Sequence, residues 1–246
     1  ALSAPRSPMC RSVLVESAFA AADVPVYDST LYEGGASLST ADNILRVGRE
    51  LGLCSDDADT NALVTRGDAA IILHVVLTQS FRIEEPPVPV TLVNAAGVNI
   101  NDYLLALRQV PEPVLAAFNA AGWTYRIDFD YMGGLSKKLN MSCIGATNYS
   151  QKTIYLSEAS ATLHEFGHFL DWMLGFPAEY EQLFRAEASA APLRNYAKTD
   201  SREYFADCFA YWVKYAENAN AISLLQECAP MTYRYMEDLM RIANRL

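Results

Sequence analysis

Two of the three histidines in the chain lie four residues apart, with a glutamate between them. They form the run His164-Glu165-Phe166-Gly167-His168, the H-E-x-x-H pattern typical of zinc proteases. Positions i and i+4 of an α-helix project from the same face, so both imidazoles can reach one metal ion. Glu165 lies about 100° further round, where it can act as a base on a metal-bound water without being a ligand. The alternative is a surface helix with two unrelated histidines.

The residues around this motif predict a strand, a short turn and a helix. Residues 152–156 are rich in β-branched and aromatic types, and a helical apolar spacing follows them. Ser157 or Ser160 is expected to cap the helix, and Gly175 with Pro177 to end it. Because the predicted helix is largely apolar, its histidines are expected in the interior, where a bound metal would satisfy the imidazoles.

A catalytic zinc site needs a third protein ligand. A histidine six residues after the second is excluded because that position is Leu174, and the remaining histidine, His74, is far upstream. A carboxylate is therefore expected. Glu203 and Asp207 lie four residues apart on the polar stripe of another apolar helix. We predict Glu203 as the ligand and Asp207 as the group that orients a ligand histidine. The alternative is a solvated acidic stripe.

Two blocks of the sequence, residues 163–171 and 195–207, resemble the catalytic domain of the anthrax lethal factor family, which also includes the pro-pro endopeptidases. The resemblance, taken over about 90–246, implies a zincin-type, gluzincin-like metallopeptidase domain. It implies one Zn²⁺ per chain, bound by His164, His168 and Glu203.

The same resemblance implies two catalytic groups. Glu165 would be the general base, and Tyr196, seven residues before Glu203, would donate a hydrogen bond to the oxyanion; a plain core aromatic is the alternative for Tyr196. Gly167 and Arg202 replace charged residues that are associated with the proline-directed branch. Cleavage restricted to bonds between prolines is therefore not expected, and the peptide sequence that is cut stays open.

Composition and charge limit the partners. The formal net charge is −10 and no basic cluster is present, which argues against nucleic acid and favours basic or neutral peptides. The sequence contains no run of 18 apolar residues, so a membrane-spanning helix is not predicted. The five cysteines lack C-x-x-C spacing, so free buried thiols are expected, with a Cys10–Cys54 disulfide as the alternative in an exported protein.

Three prolines between positions 86 and 89 predict a domain boundary near 88. Residues 1–88 predict helices at 7–21, 39–52 and 66–80. Segments at 45–53 and 63–73, with 8–28 as the tail of a preceding repeat, resemble an S-layer homology region. That resemblance implies attachment to a bacterial cell-wall polymer, and hence a secreted or cell-surface protein; a plain helical accessory domain is the alternative. His74 is expected in the core or at its boundary.

Residues 89–246 predict an α+β fold. Between 90 and 156 the pattern indicates strands at 90–93, 123–130, 143–149 and 152–156, with helices at 101–108 and 112–120. Gly133-Gly134 is expected in a turn. One strand would form a cleft edge that pairs with an extended substrate.

Together these features predict a zinc-dependent endopeptidase. The competing hypothesis is a catalytically silent, cell-wall-anchored, zinc-containing module that binds peptides without turnover. The intact Glu165 favours the enzyme, because a silent site needs no base at that position.

Overall fold

The computed structural model describes residues 9–55, 59–81 and 83–243. The chain divides into two compact units, Ala1–Pro87 and Val88–Leu246. This division lies inside the proline-rich stretch. Among the described residues, no helix is both long and apolar enough to cross a bilayer.

The first unit is helical. Its helices are α1 (Arg11–Ala21), α2 (Thr40–Glu50) and α3 (Arg66–Thr78), with a 3-10 helix at Ser29–Leu31. Positions 7 and 8, where we predicted the first helix and the repeat tail to begin, lie outside the described residues. Ser39 caps α2 through Asp42 N, and Thr65 with Asp68 forms a capping box on α3. The core of this unit is formed by Val15, Phe19, Ile44, Leu45, Val47, Leu53 and Ile72.

One expectation for this unit was wrong. His74 is exposed on α3, whose buried residue is Ile72, so it belongs neither to the core nor to its boundary. Periodicity could not orient α3, because most of this helix is apolar on every side. Ile71, Leu73 and Leu77 are correspondingly exposed.

The second unit is α+β, mostly helical around a small sheet. The strands are β1 (Leu92–Asn94), β2 (Thr124–Ile127), β3 (Gly145–Asn148) and β4 (Thr153–Leu156), in the order β1-β2-β4-β3. β1, β2 and β4 run parallel, whereas β3 is antiparallel to β4. β3 therefore lies at an edge of the sheet.

The second unit has eight α-helices in the described residues. They are α4 (Asn101–Leu107), α5 (Glu112–Ala120), α6 (Phe129–Leu139), α7 (Thr162–Met173), α8 (Ala178–Glu187), α9 (Ser201–Tyr215), α10 (Ala219–Cys228) and α11 (Pro230–Ala243). Short 3-10 helices occur at Ala159–Ala161 and Asn195–Lys198.

Helix α6 corrects two predictions. The strand expected at 123–130 ends at Ile127, because Asp128 caps a new helix by accepting a hydrogen bond from Tyr131 N at 2.9 Å. Gly133 and Gly134 lie inside that helix rather than in a turn. Their intrinsic preference, about 1 kcal/mol each against a helix, is overridden by the cap and the flanking residues.

The start of α7 also differs from the prediction. Its N-cap is Ala161, without a side-chain hydrogen bond, and a 3-10 helix precedes it. The Ser157 hydroxyl donates instead to Ile144 O, and the Ser160 hydroxyl to Glu158. The end of α7 agrees with the prediction, since Gly175 adopts a left-handed φ of 74°.

Helix α7 packs on α5 and on the residue before β2 through aromatic rings. Phe166 and Phe169 each contact Phe118, with ring centroids 4.9 and 5.1 Å apart, and Phe169 also contacts Trp123. All four rings are almost fully buried. Burial of each contributes roughly 2–3 kcal/mol, so this cluster fixes α7 against α5 and the start of β2.

Helix α9 approaches α7 closely at Gly167. A Cβ at that position would lie 2.6 Å from Ala206 Cα and 2.8 Å from Ala206 O. Only glycine therefore permits this separation of the two helices. The contact brings the first turn of α9 beside the histidines of α7.

None of the five cysteines forms a disulfide, so Cys10 and Cys54 are not bonded to each other. Only Cys208 is buried, where burial raises the pKa of its thiol to about 12. The cysteines are reduced as expected, but the expectation that they are buried holds only for Cys208.

Candidate metal and catalytic site

Three side chains from two helices converge on one point. His164 Nε2 and His168 Nε2 are 3.1 Å apart. Glu203 Oε2 lies 3.1 Å from the first of these nitrogens and 3.4 Å from the second. Asp200 caps α9 by accepting hydrogen bonds from Arg202 N and Glu203 N, which fixes the turn that carries Glu203. The structure thus brings together the three predicted ligands.

This trio fits a tetrahedral metal ion. Donor atoms that each lie about 2.0–2.1 Å from a tetrahedral zinc are about 3.3 Å from one another, close to the observed separations. Glu203 Oε2 is buried and makes no hydrogen bond of acceptable geometry, although both imidazoles approach it. Two nitrogens and one carboxylate oxygen are also a donor set that suits zinc.

Asp207 fixes the ring of His164. Its Oδ1 lies 2.7 Å from His164 Nδ1, so the proton of the imidazole is held on Nδ1 and the Nε2 lone pair faces the centre of the trio. Burial would lower the pKa of His164, but the adjacent carboxylates of Asp207 and Glu203 raise it to about 9. Without a metal, His164 would carry a second proton on Nε2 at neutral pH, and metal binding would have to displace that proton.

Arg194 holds Asp207 in turn. Its Nε donates to Asp207 Oδ2 and its Nη2 to Asp207 Oδ1, both at 2.6 Å. Burial would raise the pKa of Asp207, but His164 and Arg194 lower it. This bidentate pair keeps the carboxylate charged and immobile beside the ring. Sequence reasoning missed Arg194, because no local spacing connects it to a residue 13 positions away.

Glu165 lies against the edge strand. It is 4% exposed, and its Oε2 accepts a hydrogen bond of 2.7 Å from Thr147 Oγ1 on β3. A Cβ at Gly145 would lie 2.5 Å from Glu165 Oε1. Gly145 and Thr147 face the same side of β3, so one makes room for the carboxylate while the other orients it. Neither residue was predicted from the sequence, since their role depends on strand and helix packing together.

Tyr196 lies in the 3-10 helix Asn195–Lys198 and is 41% exposed, not a core aromatic. Its hydroxyl donates to Glu203 Oε1 at 3.2 Å. Burial and the nearby Glu203 raise the pKa of Tyr196, so the phenol stays protonated and able to donate. Its ring centroid lies 6.3 Å from that of His164.

These groups line a cleft of about 870 Å³. The edge strand β3, the start of α7 and one face of α9 form its walls. Apolar side chains contribute much of the lining, and three cationic side chains, Arg194, Arg202 and Lys214, also border it. Tyr149 and Tyr196 also belong to the lining.

Comparison with known proteins supports the resemblance seen in the motifs. Residues 127–239 match the family model described as "Anthrax toxin lethal factor, N- and C-terminal domain". This region contains every residue of the site described above. The match confirms the predicted family resemblance for this part of the chain, whereas the S-layer resemblance of the first unit stays a prediction.

Among solved structures, the pro-pro endopeptidase PPEP-2 from Paenibacillus alvei is similar with a TM-score of 0.47 and 19% identity. The similarity covers 60% of this chain and 96% of the other. A search of curated proteins finds no match.

Proposed function

We propose that the chain is a zinc-dependent endopeptidase with a zincin-type, gluzincin-like site. The observation that carries this proposal is the convergence of His164, His168 and Glu203 beside the carboxylate of Glu165. The match of residues 127–239 to the lethal factor family supports it. The substrates would be peptides or proteins.

His164, His168 and Glu203 would hold the zinc ion. When bound, such an ion polarises the scissile carbonyl and makes water a stronger nucleophile. Asp207 and Arg194 would keep His164 in the tautomer that offers its Nε2 lone pair.

Glu165 would move the proton. Its carboxylate would take a proton from the attacking water and pass it to the leaving amine. The hydroxyl of Thr147 would hold Oε2, and the space left by Gly145 keeps Oε1 free to turn toward the water. Thr147 and Gly145 both lie on β3. The same strand would therefore position the carboxylate of Glu165 and pair with the substrate.

Tyr196 would donate a hydrogen bond to the oxyanion of the tetrahedral intermediate. In the structure its hydroxyl donates to Glu203, and a short rotation would redirect it to an oxygen that develops charge beside the metal ligands. The free edge of β3 would hold the substrate as an additional extended strand.

Elemental analysis and cleavage of a mixed peptide pool test this proposal together. We expect one zinc per chain, and cleavage that a chelator abolishes and added zinc restores. Glu165→Gln should keep the metal and lose turnover, whereas Glu217→Gln, at an exposed glutamate on the helix connection after α9, should change neither. Zinc binding without any cleavage would favour the silent peptide-binding module. Absence of zinc after dialysis against the metal would reject both hypotheses.

A further inference from the structure

Arg202, next to the proposed ligand Glu203, borders the cleft without a salt bridge to any described residue. Its side chain is exposed, and its guanidinium carbon lies 4.3 Å from the centre of the Phe176 ring. The hydrogen bond from its backbone N to Asp200 does not involve the guanidinium. The planar donors of this arginine are therefore available for a ligand.

The stack beneath Arg202 gives the guanidinium a defined position. Phe176 has a left-handed backbone, with φ of 55°, which is costly for a bulky residue. Its ring is held by an edge contact with Tyr149, at a centroid distance of 5.5 Å and an angle of 90°. A guanidinium that lies on an aromatic ring uses one face for that contact and keeps its in-plane N–H groups for a carboxylate.

The strand β3 relates this position to the reacting atoms. Along β3, Thr147 lies next to the proposed general base, because its hydroxyl donates a hydrogen bond to Glu165. Tyr149 lies in the turn directly after β3, two residues beyond Thr147, and contacts the Phe176 ring beneath Arg202. Two residues of chain span at most roughly 7 Å. A peptide paired with β3 would therefore place a side chain near Arg202 about two residues from the bond that is cut.

Acidic groups of the protein do not occupy this position. Asp171 is buried, and Arg202 acts on it through electrostatic attraction without forming a salt bridge. Asp200 uses one carboxylate oxygen for the two backbone N–H groups at the start of α9. Burial and Asp171 raise the pKa of Tyr149, whereas Arg202 lowers it, so Arg202 supplies the positive charge at a point of the cleft wall where acidic groups are also close.

We propose that Arg202 forms a subsite for an acidic side chain, and that preferred substrates carry Asp or Glu about two residues from the scissile bond, on the side where β3 ends. This inference rests on the proposed peptidase function. It differs from the expectation of basic or neutral peptides, which was drawn from net charge alone. An arginine that is partly exposed but held by its stack should form a charge-assisted pair with a carboxylate.

The test is a set of otherwise identical peptides with Asp, Asn or Lys at each of four positions on either side of the scissile bond. For the zinc-loaded protein we expect kcat/KM about 5–10-fold higher for Asp than for Asn, at one or two adjacent positions on one side only. The preference should shrink as salt is raised. Arg202→Gln should remove it, and Arg202→Glu should transfer it to Lys.

Arg234→Glu is the matched control. Arg234 is an exposed arginine of α11 outside the cleft, so this variant makes the same change in net charge. It should keep the Asp preference. Equal cleavage of Asp and Asn peptides at every position, or a preference that survives Arg202→Gln, would overturn the inference.

Direct binding separates this inference from the peptidase proposal. The same peptides are titrated onto metal-loaded Glu165→Gln protein, with and without Arg202→Gln. Tighter binding of Asp peptides that depends on Arg202 would support the subsite even if no peptide were cleaved. Equal binding of Asp and Asn peptides would reject it, whether or not the wild-type protein proved to be a peptidase.

Discussion

His164 Nδ1 donates a hydrogen bond of 2.7 Å to Asp207 Oδ1. The two residues are 43 positions apart in the sequence and lie on different helices, α7 and α9. Arg194 donates two hydrogen bonds to the same carboxylate, one to each oxygen. The orientation of one imidazole thus depends on a chain of three residues from three segments. Such supporting contacts usually affect metal affinity by factors of 10–100.

We expect Asp207→Asn and Arg194→Gln each to weaken zinc binding by about 10–100-fold without unfolding the protein. Competition with a chromophoric chelator would measure the affinity, and Arg194→Lys should restore only part of it because lysine cannot form the bidentate pair. Asp238→Asn is the control, since Asp238 forms an exposed ion pair with Arg241. Unchanged zinc affinity in both site variants would make Asp207 a simple packing residue.

Tyr196→Phe should lower kcat by about 10²–10³ with little change in KM, because one oxyanion donor is lost. Its zinc content should equal that of the wild type. Tyr233→Phe, which removes a hydroxyl that bonds Glu237 outside the cleft, should leave turnover unaltered. Wild-type turnover in Tyr196→Phe would rule out the donor role.

Gly167→Ala tests the close approach of α7 and α9. The added methyl would meet the Ala206 backbone at 2.6 Å, so the helices must separate, and we expect a loss of about 1–3 kcal/mol in the free energy of unfolding. Zinc affinity should fall as well, because Glu203 moves with α9. Gly133→Ala is a close control: Gly133 is also helical, but a methyl there would meet no atom within 4 Å.

Gly133→Ala should therefore be neutral or stabilising by up to about 1 kcal/mol, through helix propensity alone. Chemical denaturation of both metal-free variants gives the comparison. Similar stability of the two would show that the helix contact tolerates expansion.

Residues of the site differ in whether their roles could be predicted from the sequence. The histidines of α7 were predictable because their relation is local, set by four residues of one helix. Glu203 was predictable because two acids interrupt an otherwise apolar helix. Gly145, Thr147 and Arg194 were missed, since only packing of the edge strand and of the segment before Tyr196 brings them to the site. Helix α6 was missed because Gly133-Gly134 is typical of a turn when the Asp128 cap is not considered.

Asp171 should make metal-free protein sensitive to pH. Burial raises the pKa of its carboxyl to about 6, although His168 and Arg202 act in the opposite direction. A carboxyl with a raised pKa favours the folded state most below pH 3.8, and this contribution is lost as pH rises through 6. At pH 7.5, Asp171→Asn should therefore be more stable than wild type, by up to roughly 3 kcal/mol.

At pH 4 the same substitution should have little effect, because Asp171 is then largely protonated in the folded protein. Melting temperatures in the presence of chelator, taken at both pH values, measure the difference. An Asp171→Asn variant that is equally destabilised at pH 4 and 7.5 would indicate a structural hydrogen bond instead of a titrating group.

Residues 88–246 should fold, bind zinc and cleave peptides without residues 1–87. Every residue assigned to the site lies in the second unit. The aromatic cluster of α5, α7 and the residue before β2 also belongs to this unit. The truncated protein should match the full chain in zinc content and in kcat/KM on short peptides. A soluble fragment that bound zinc poorly would show that the first unit stabilises the site. Normal cleavage combined with loss of binding to isolated bacterial cell walls would support the S-layer-like interpretation of residues 1–87, because the catalytic and attachment roles would then belong to different units.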